Sequence, residues 1–110
     1  IQLDPNSAKA YGNRGSAYGQ LGKYQRSFQD FDKAIQLDPN SALTYNNRGL
    51  NYNNLGEYEQ AILDHDKAIQ LDPDYAKAYN DRSLSYGKLG LYTKGGVDKA
   101  KACSLDSKYC

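Results

Sequence analysis

The chain has 110 residues, with 14 Lys and Arg against 13 Asp and Glu, and its net charge of +1 lacks the basic excess that a nucleic-acid partner or a membrane-surface patch requires. Nineteen residues are Leu, Ile, Val or Phe and eleven are Tyr; so low an aliphatic content signals disorder only with high net charge and few aromatics, and neither holds. No apolar run approaches the roughly 18 residues of a membrane span, so no membrane insertion is expected, and one His without Met or Trp leaves little material for catalysis.

From the N-terminus, Leu3-Asp4-Pro5 is the first of three Leu-Asp-Pro strings; the others start at Leu37 and Leu71, and Leu105-Asp106 begins a fourth. Each step is 34 residues, and copies at 8–41, 42–75 and 76–110 align without a gap. Residues 1–7 read as the tail of an earlier copy, because Ile1 to Pro5 matches Ile35 to Pro39, and a segment of a longer array is expected. Nine of the eleven Tyr fall in triplets such as Tyr11/Tyr45/Tyr79 and Tyr18/Tyr52/Tyr86, which marks them as packing residues rather than a cofactor cluster. No cofactor is expected.

Each copy reads as two helices. In the first copy, Asn6-Ser7 offers an N-cap, apolar residues recur at helical spacing, and Leu21-Gly22 ends the helix with a glycine able to turn left-handed. The second helix then runs roughly from Gln25 to Leu37, where Asp-Pro stops it. The second copy repeats this plan, with caps at Asn40-Ser41, a stop at Leu55-Gly56 and a second helix from Glu59 to Leu71. The third copy departs from it: Ser83 replaces the glycine of Gly15 and Gly49, Gly95-Gly96 sits where the second helix should start, and Ser107 replaces proline. Its second helix is expected from Lys94 to Leu105 and is polar, which suits a C-terminal cap. Small residues at Gly15/Gly49/Ser83, Ser27/Ala61/Gly95 and Ala34/Ala68/Ala102 let paired helices approach closely, and one hairpin cannot bury its own apolar face, so neighbours must stack.

This pattern resembles three tandem tetratricopeptide repeats, an all-α helix-turn-helix family recognised by its 34-residue period and its placement of aromatics, Gly, Ala and Pro. The resemblance implies a right-handed α-solenoid acting as a protein-interaction scaffold, with an extended peptide or a partner helix held in a concave groove lined by the first helices. Mapped by the repeat, the groove takes Lys9, Gly12, Asn13, Ser16 and Gln20 from the first copy, Leu43, Asn46, Asn47, Leu50, Asn53 and Asn54 from the second, and Lys77, Asn80, Asp81, Leu84 and Lys88 from the third. Asparagine can pair with any peptide backbone through its donor and acceptor. Asn13, Asn46, Asn47, Asn80 and Asp81 are expected to do so, with Asn54 beside them, Leu50 and Leu84 supplying apolar contact, and Lys9, Lys77 and Lys88 favouring some acidic character in the ligand.

The resemblance raises a sharper possibility, the dicarboxylate clamp that family members use on chaperone tails. Asn47 and Lys77 match it; Gly12, Ser16 and Asp81 do not, and Asp81 sets a negative charge where a carboxylate should be received. Arg14, Arg48 and Arg82 replace residues that are usually apolar in the family, and each is expected to be partly buried against Asp30, Asp64 or Asp98. Cys103 falls where Ile35 and Ile69 lie, so it reads as a small apolar residue. Cysteine-rich relatives of the family imply instead a disulfide with Cys110, in an oxidising periplasmic or extracellular compartment. The compartment itself stays open. Cys103, Cys110 and His65 lack metal-ligand spacing, and His65, at the packing position of Phe31, has no nucleophile at regular spacing, so neither a metal site nor an enzyme is expected. The alternative role is structural: an array that self-associates end to end through its truncated faces, with the groove empty.

Overall fold

The structure is a computed structural model and describes residues 3–110, so the first two residues of the 1–7 tail lie outside it. Six α-helices follow one another: α1 (Ala8–Gln20), α2 (Tyr24–Leu37), α3 (Ala42–Asn54), α4 (Tyr58–Leu71), α5 (Ala76–Lys88) and α6 (Tyr92–Leu105), closed by a 3-10 turn at Ser107–Tyr109. The described residues contain no strand. Helices pair as α1/α2, α3/α4 and α5/α6, and each pair packs on the next through its second helix, which draws the molecule out to 44 × 25 × 21 Å.

Local signals place the ends. The Ser7 and Ser41 hydroxyls accept hydrogen bonds from the amides of Ala10 and Thr44, capping α1 and α3. Gly22, Gly56 and Gly90 take φ of 76°, 77° and 78°, the left-handed values that end α1, α3 and α5. After each second helix the aspartate of Leu-Asp accepts from the amide two residues on, as Asp38 does from Asn40 at 3.0 Å and Asp72 from Asp74 at 3.1 Å. Asp106 does the same toward Lys108 at 3.1 Å although Ser107 stands in place of proline.

The core is narrow. Phe31, Ala34, Ala61, Ala68, Ala78 and Ala102 are its buried hydrophobic residues, so small side chains set the spacing between paired helices. Gly95 belongs to this set, since a Cβ there would lie 3.2 Å from the Ser83 carbonyl oxygen. The Gly95-Gly96 pair therefore does not delay the last helix. Instead of beginning at Lys94, α6 begins at Tyr92, in phase with Tyr24 and Tyr58, because packing against α5 outweighs the low helix propensity of glycine.

One arginine stitches each hairpin. Arg14, Arg48 and Arg82 each hold the aspartate 16 residues on in a fork, with N–O distances of 2.7–2.8 Å to Asp30, Asp64 and Asp98. Arg48 and Arg82 also reach back to Asp32 and Asp66 of the preceding hairpin, at 3.0 and 2.8 Å. These cations are thus engaged within the fold. Burial pushes the Asp64 carboxyl upward, against the hydrogen bonds from Arg48 that hold it down.

Candidate functional site

The face made by the first helices carries two hollows that meet at Asn47. The first, about 240 Å³, lies between α1 and α3 and is lined by Lys9, Gly12, Asn13, Leu43 and Thr44 among others. The second, about 310 Å³, draws Ser16 and Gln20 from α1, Leu50 and Asn54 from α3, and Lys77 from α5, with Phe31 in its floor. Lys9, Asn13, Asn47, Leu50, Asn54 and Lys77 are therefore brought to one groove. The side chains of Lys9, Asn13, Asn47 and Asn54 make no hydrogen bond to another described residue, so their polar atoms are free to meet a ligand. Leu84, 51% exposed, and Lys88 are open to solvent on α5 but line neither hollow.

The remaining amides go elsewhere, which corrects the expected groove. Asn46 is fully buried, Asp81 and Asn53 nearly so, and none can pair with a peptide backbone. The Asn46 amide donates to Asp81 Oδ2 at 2.9 Å, and its oxygen accepts from His65 Nδ1 at 2.6 Å. Asn53 donates toward His65 Nε2 at 3.3 Å and accepts from the Ser85 hydroxyl at 2.5 Å. Donor follows acceptor around this seam between the second and third hairpins, which fixes a neutral His65 with its proton on Nδ1. Burial pushes the imidazole down to about 4. Lys77 closes the seam at the surface, its ammonium 2.8 Å from Asp81 Oδ2, so much of its charge is answered within the protein.

Repeat register explains why sequence reasoning sent Asn46 and Asn80 to the groove. Their position pairs with the residue 19 further on, giving Gly12 with Phe31, Asn46 with His65, and Asn80 with Lys99. Where the second helix carries Phe, the first supplies no side chain. Where it carries His or Lys, the first supplies an asparagine oxygen, at 2.6 Å from His65 and 2.8 Å from Lys99 Nζ. Asn80 thus accepts from Lys99 in an exposed contact and lines neither hollow. That co-variation across the three copies is the signal that would have found these pairs.

Asn51 and Gly19 were missed. The Asn51 amide donates to Ser27 Oγ at 2.6 Å in the seam between the first and second hairpins, and Ser27 donates to the Gly15 carbonyl at 2.5 Å. A Cβ on Gly19 would lie 2.6 Å from Asn51 Oδ1, so the glycine makes room for the asparagine. At the far end of the chain the Cys103 and Cys110 sulfurs lie at bonding distance, with Cα atoms 4.6 Å apart. Among the described residues no helix is long and apolar enough to cross a membrane.

The tetratricopeptide repeat family model matches residues 8–41 and 42–75. Among solved structures, the second repeat domain of Spaghetti (RPAP3), bound to the HSP90 peptide SRMEEVD, is 30% identical over 90% of this chain and 86% of that one, with a TM-score of 0.87. The second repeat domain of human RPAP3, in complex with the HSP70 peptide SGPTIEEVD, is 28% identical over 94% and 88%, at 0.86. MamA is 32% identical over 96% of this chain but 62% of its own length, at 0.88. These neighbours share the right-handed α-solenoid. No curated protein matches the chain.

Proposed function

The chain belongs to the tetratricopeptide repeat family of protein-interaction modules, and from that premise we propose that it binds an extended segment of a partner protein in the groove of its first helices. The observation that carries this reading is the pair of hollows meeting at Asn47, which sets free amides beside apolar floor from Phe31 and Leu50. Such a lining suits a ligand held through its backbone and one or two apolar side chains. An acidic chain terminus of the kind carried by the neighbours' peptides suits it less, because Gly12 and Ser16 offer no cation and Lys77 is already engaged by Asp81. Lys9 remains to favour a partly acidic segment. No catalytic role is proposed.

The test is affinity capture from a lysate of the source cells, with the native chain beside the triple variant Lys9→Ala, Asn13→Ala, Asn47→Ala. Those three side chains hold no hydrogen bond to another described residue, so the variant should keep the helical circular dichroism of the native chain. A partner retained by the native chain and lost from the variant supports groove binding. Equal capture by both overturns it.

A further inference from the structure

The two seams between hairpins share one register and are filled differently. In the second, the Asn46 amide donates to Asp81 Oδ2 at 2.9 Å and its oxygen accepts from His65 Nδ1 at 2.6 Å, while Asn53 and Ser85 continue the chain of hydrogen bonds. One copy earlier, the positions of Asn46, Asp81, His65, Asn53 and Ser85 carry Gly12, Asn47, Phe31, Gly19 and Asn51. All five of these earlier residues line the two hollows of the groove. What the second seam closes with polar side chains, the first leaves open to solvent.

Gly12 decides this at the first hollow. Asn47 stands in the register of Asp81, but Gly12, in the register of Asn46, has no amide to offer it, and the Asn47 side chain makes no hydrogen bond to another described residue. A Cβ on Gly12 would stand 3.7 Å from Thr44 Oγ1, an ordinary contact, so crowding does not forbid a side chain there. The hollow beside it, about 240 Å³, is also lined by Lys9 and Asp38, one cation against one anion. A carboxylate entering it gains Lys9 but meets Asp38, and an ammonium does the reverse. A primary carboxamide meets neither penalty, and its donor and acceptor match the acceptor and donor of Asn47.

We propose that the ligand brings to the first seam the group that Asn46 brings to the second: the carboxamide of an Asn or Gln side chain, which enters the hollow beside Gly12 and pairs with the Asn47 amide. Gly12 sets this preference, because its missing side chain leaves room for the ligand's. The preference rests on binding in the groove as proposed above, and it names the side chain that the groove selects. The acidic character favoured by Lys9 belongs to ligand residues flanking that position.

Panning a library of random peptides against the full chain supplies the test. Selected peptides should share Asn or Gln at one position, and changing that residue to Ala should weaken binding about tenfold by calorimetry. Gly12→Asn offers Asn47 a carboxamide from within the chain. It should lower the affinity for a selected peptide to that of the peptide's Ala form, with no further loss when both changes are combined. The variant should unfold at or above the native urea midpoint, because Asn has a higher helix propensity than Gly. Asn47→Ala should erase the same preference from the other side of the pair. Selected peptides with no shared carboxamide, or with Asp or Glu in its place, overturn the preference and leave groove binding standing. So does a preference that survives both Gly12→Asn and Asn47→Ala. Peptides that bind equally well to the native chain and to the triple variant Lys9→Ala, Asn13→Ala, Asn47→Ala overturn groove binding itself, and the preference with it.

Discussion

The Nδ1 atom of His65 lies 2.6 Å from the side-chain oxygen of Asn46, at a point where neither residue reaches solvent. The pair stands in the register of Phe31 and Gly12 one hairpin earlier, so the same buried second-helix position carries an aromatic ring in one hairpin and one end of a hydrogen-bonded polar pair in the next. The polar version makes the second seam sensitive to protons in a way the first is not.

Acid should therefore weaken the fold through His65. Its imidazole is held near 4 chiefly by burial, with Asp81 raising it and Lys77 lowering it, whereas an unfolded histidine titrates near 6.5. Between those values the unfolded chain binds the extra proton, so stability falls as pH drops below 6.5, by about 2 kcal/mol at pH 5. Protonating Nε2 also sets an N–H against the Asn53 amide. Urea unfolding at pH 7 and pH 5 checks this. The loss should shrink in a His65→Phe variant, whose remaining slope belongs to the carboxylates.

Rebuilding the second seam as the first should show non-additivity. His65→Phe alone leaves Asn46 and Asn53 without a ring partner and should cost about 1–3 kcal/mol. Adding Asn46→Gly recreates the Gly12 and Phe31 arrangement and should recover part of that loss, despite the helix penalty of glycine. The cycle is read from unfolding midpoints.

Glycine substitutions should differ in sign by position. A Cβ at Gly49 would lie 2.7 Å from His65 Cε1, in a ring pinned by two hydrogen bonds, so Gly49→Ala should destabilise by about 1–3 kcal/mol. Gly96 has nothing within 4 Å of its Cβ position and lies inside α6, so Gly96→Ala should stabilise by about 0.5–1 kcal/mol. Thermal unfolding of both variants decides.

Arg48→Leu should cost about 3 kcal/mol, because it strands the buried Asp64 carboxylate. The double variant with Asp64→Leu should regain most of that. Additive losses in the cycle would show that the fork contributes nothing specific.

Residues 103 and 110 should be bridged. Mass spectrometry without reductant should find the chain two hydrogens lighter than its reduced form. The bridge closes a short loop at the chain end, worth about 2 kcal/mol, so reduction should free the Ser107–Tyr109 turn and lower the urea midpoint. Two free thiols would contradict the geometry.

Most of the fold was legible because each boundary has a local cause. Ser7 and Ser41 cap, Gly22 and Gly56 turn, and the aspartates after Leu37 and Leu71 close the loops, all within a few residues of sequence. The start of α6 was misplaced because Gly95 answers to tertiary packing against Ser83, which propensity does not register. The groove was harder to read for the same reason. Asn46 and Asn47 are adjacent and chemically identical, yet a rotation of one residue puts the first in a buried seam and the second between two hollows. Helical phase assigns each to a face. Only its partner across the seam, His65, decides whether an amide there is structural.

Groove binding is tested most directly by photo-crosslinking from two positions. A photoreactive amino acid replaces Asn47, where the hollows meet, or Val97, an exposed residue of α6 that lines neither hollow, and each chain is irradiated in a lysate of the source cells. A discrete adduct is expected from position 47, suppressed by excess native chain, and none from position 97. An adduct from position 97 alone would contradict it and move the interaction off the groove.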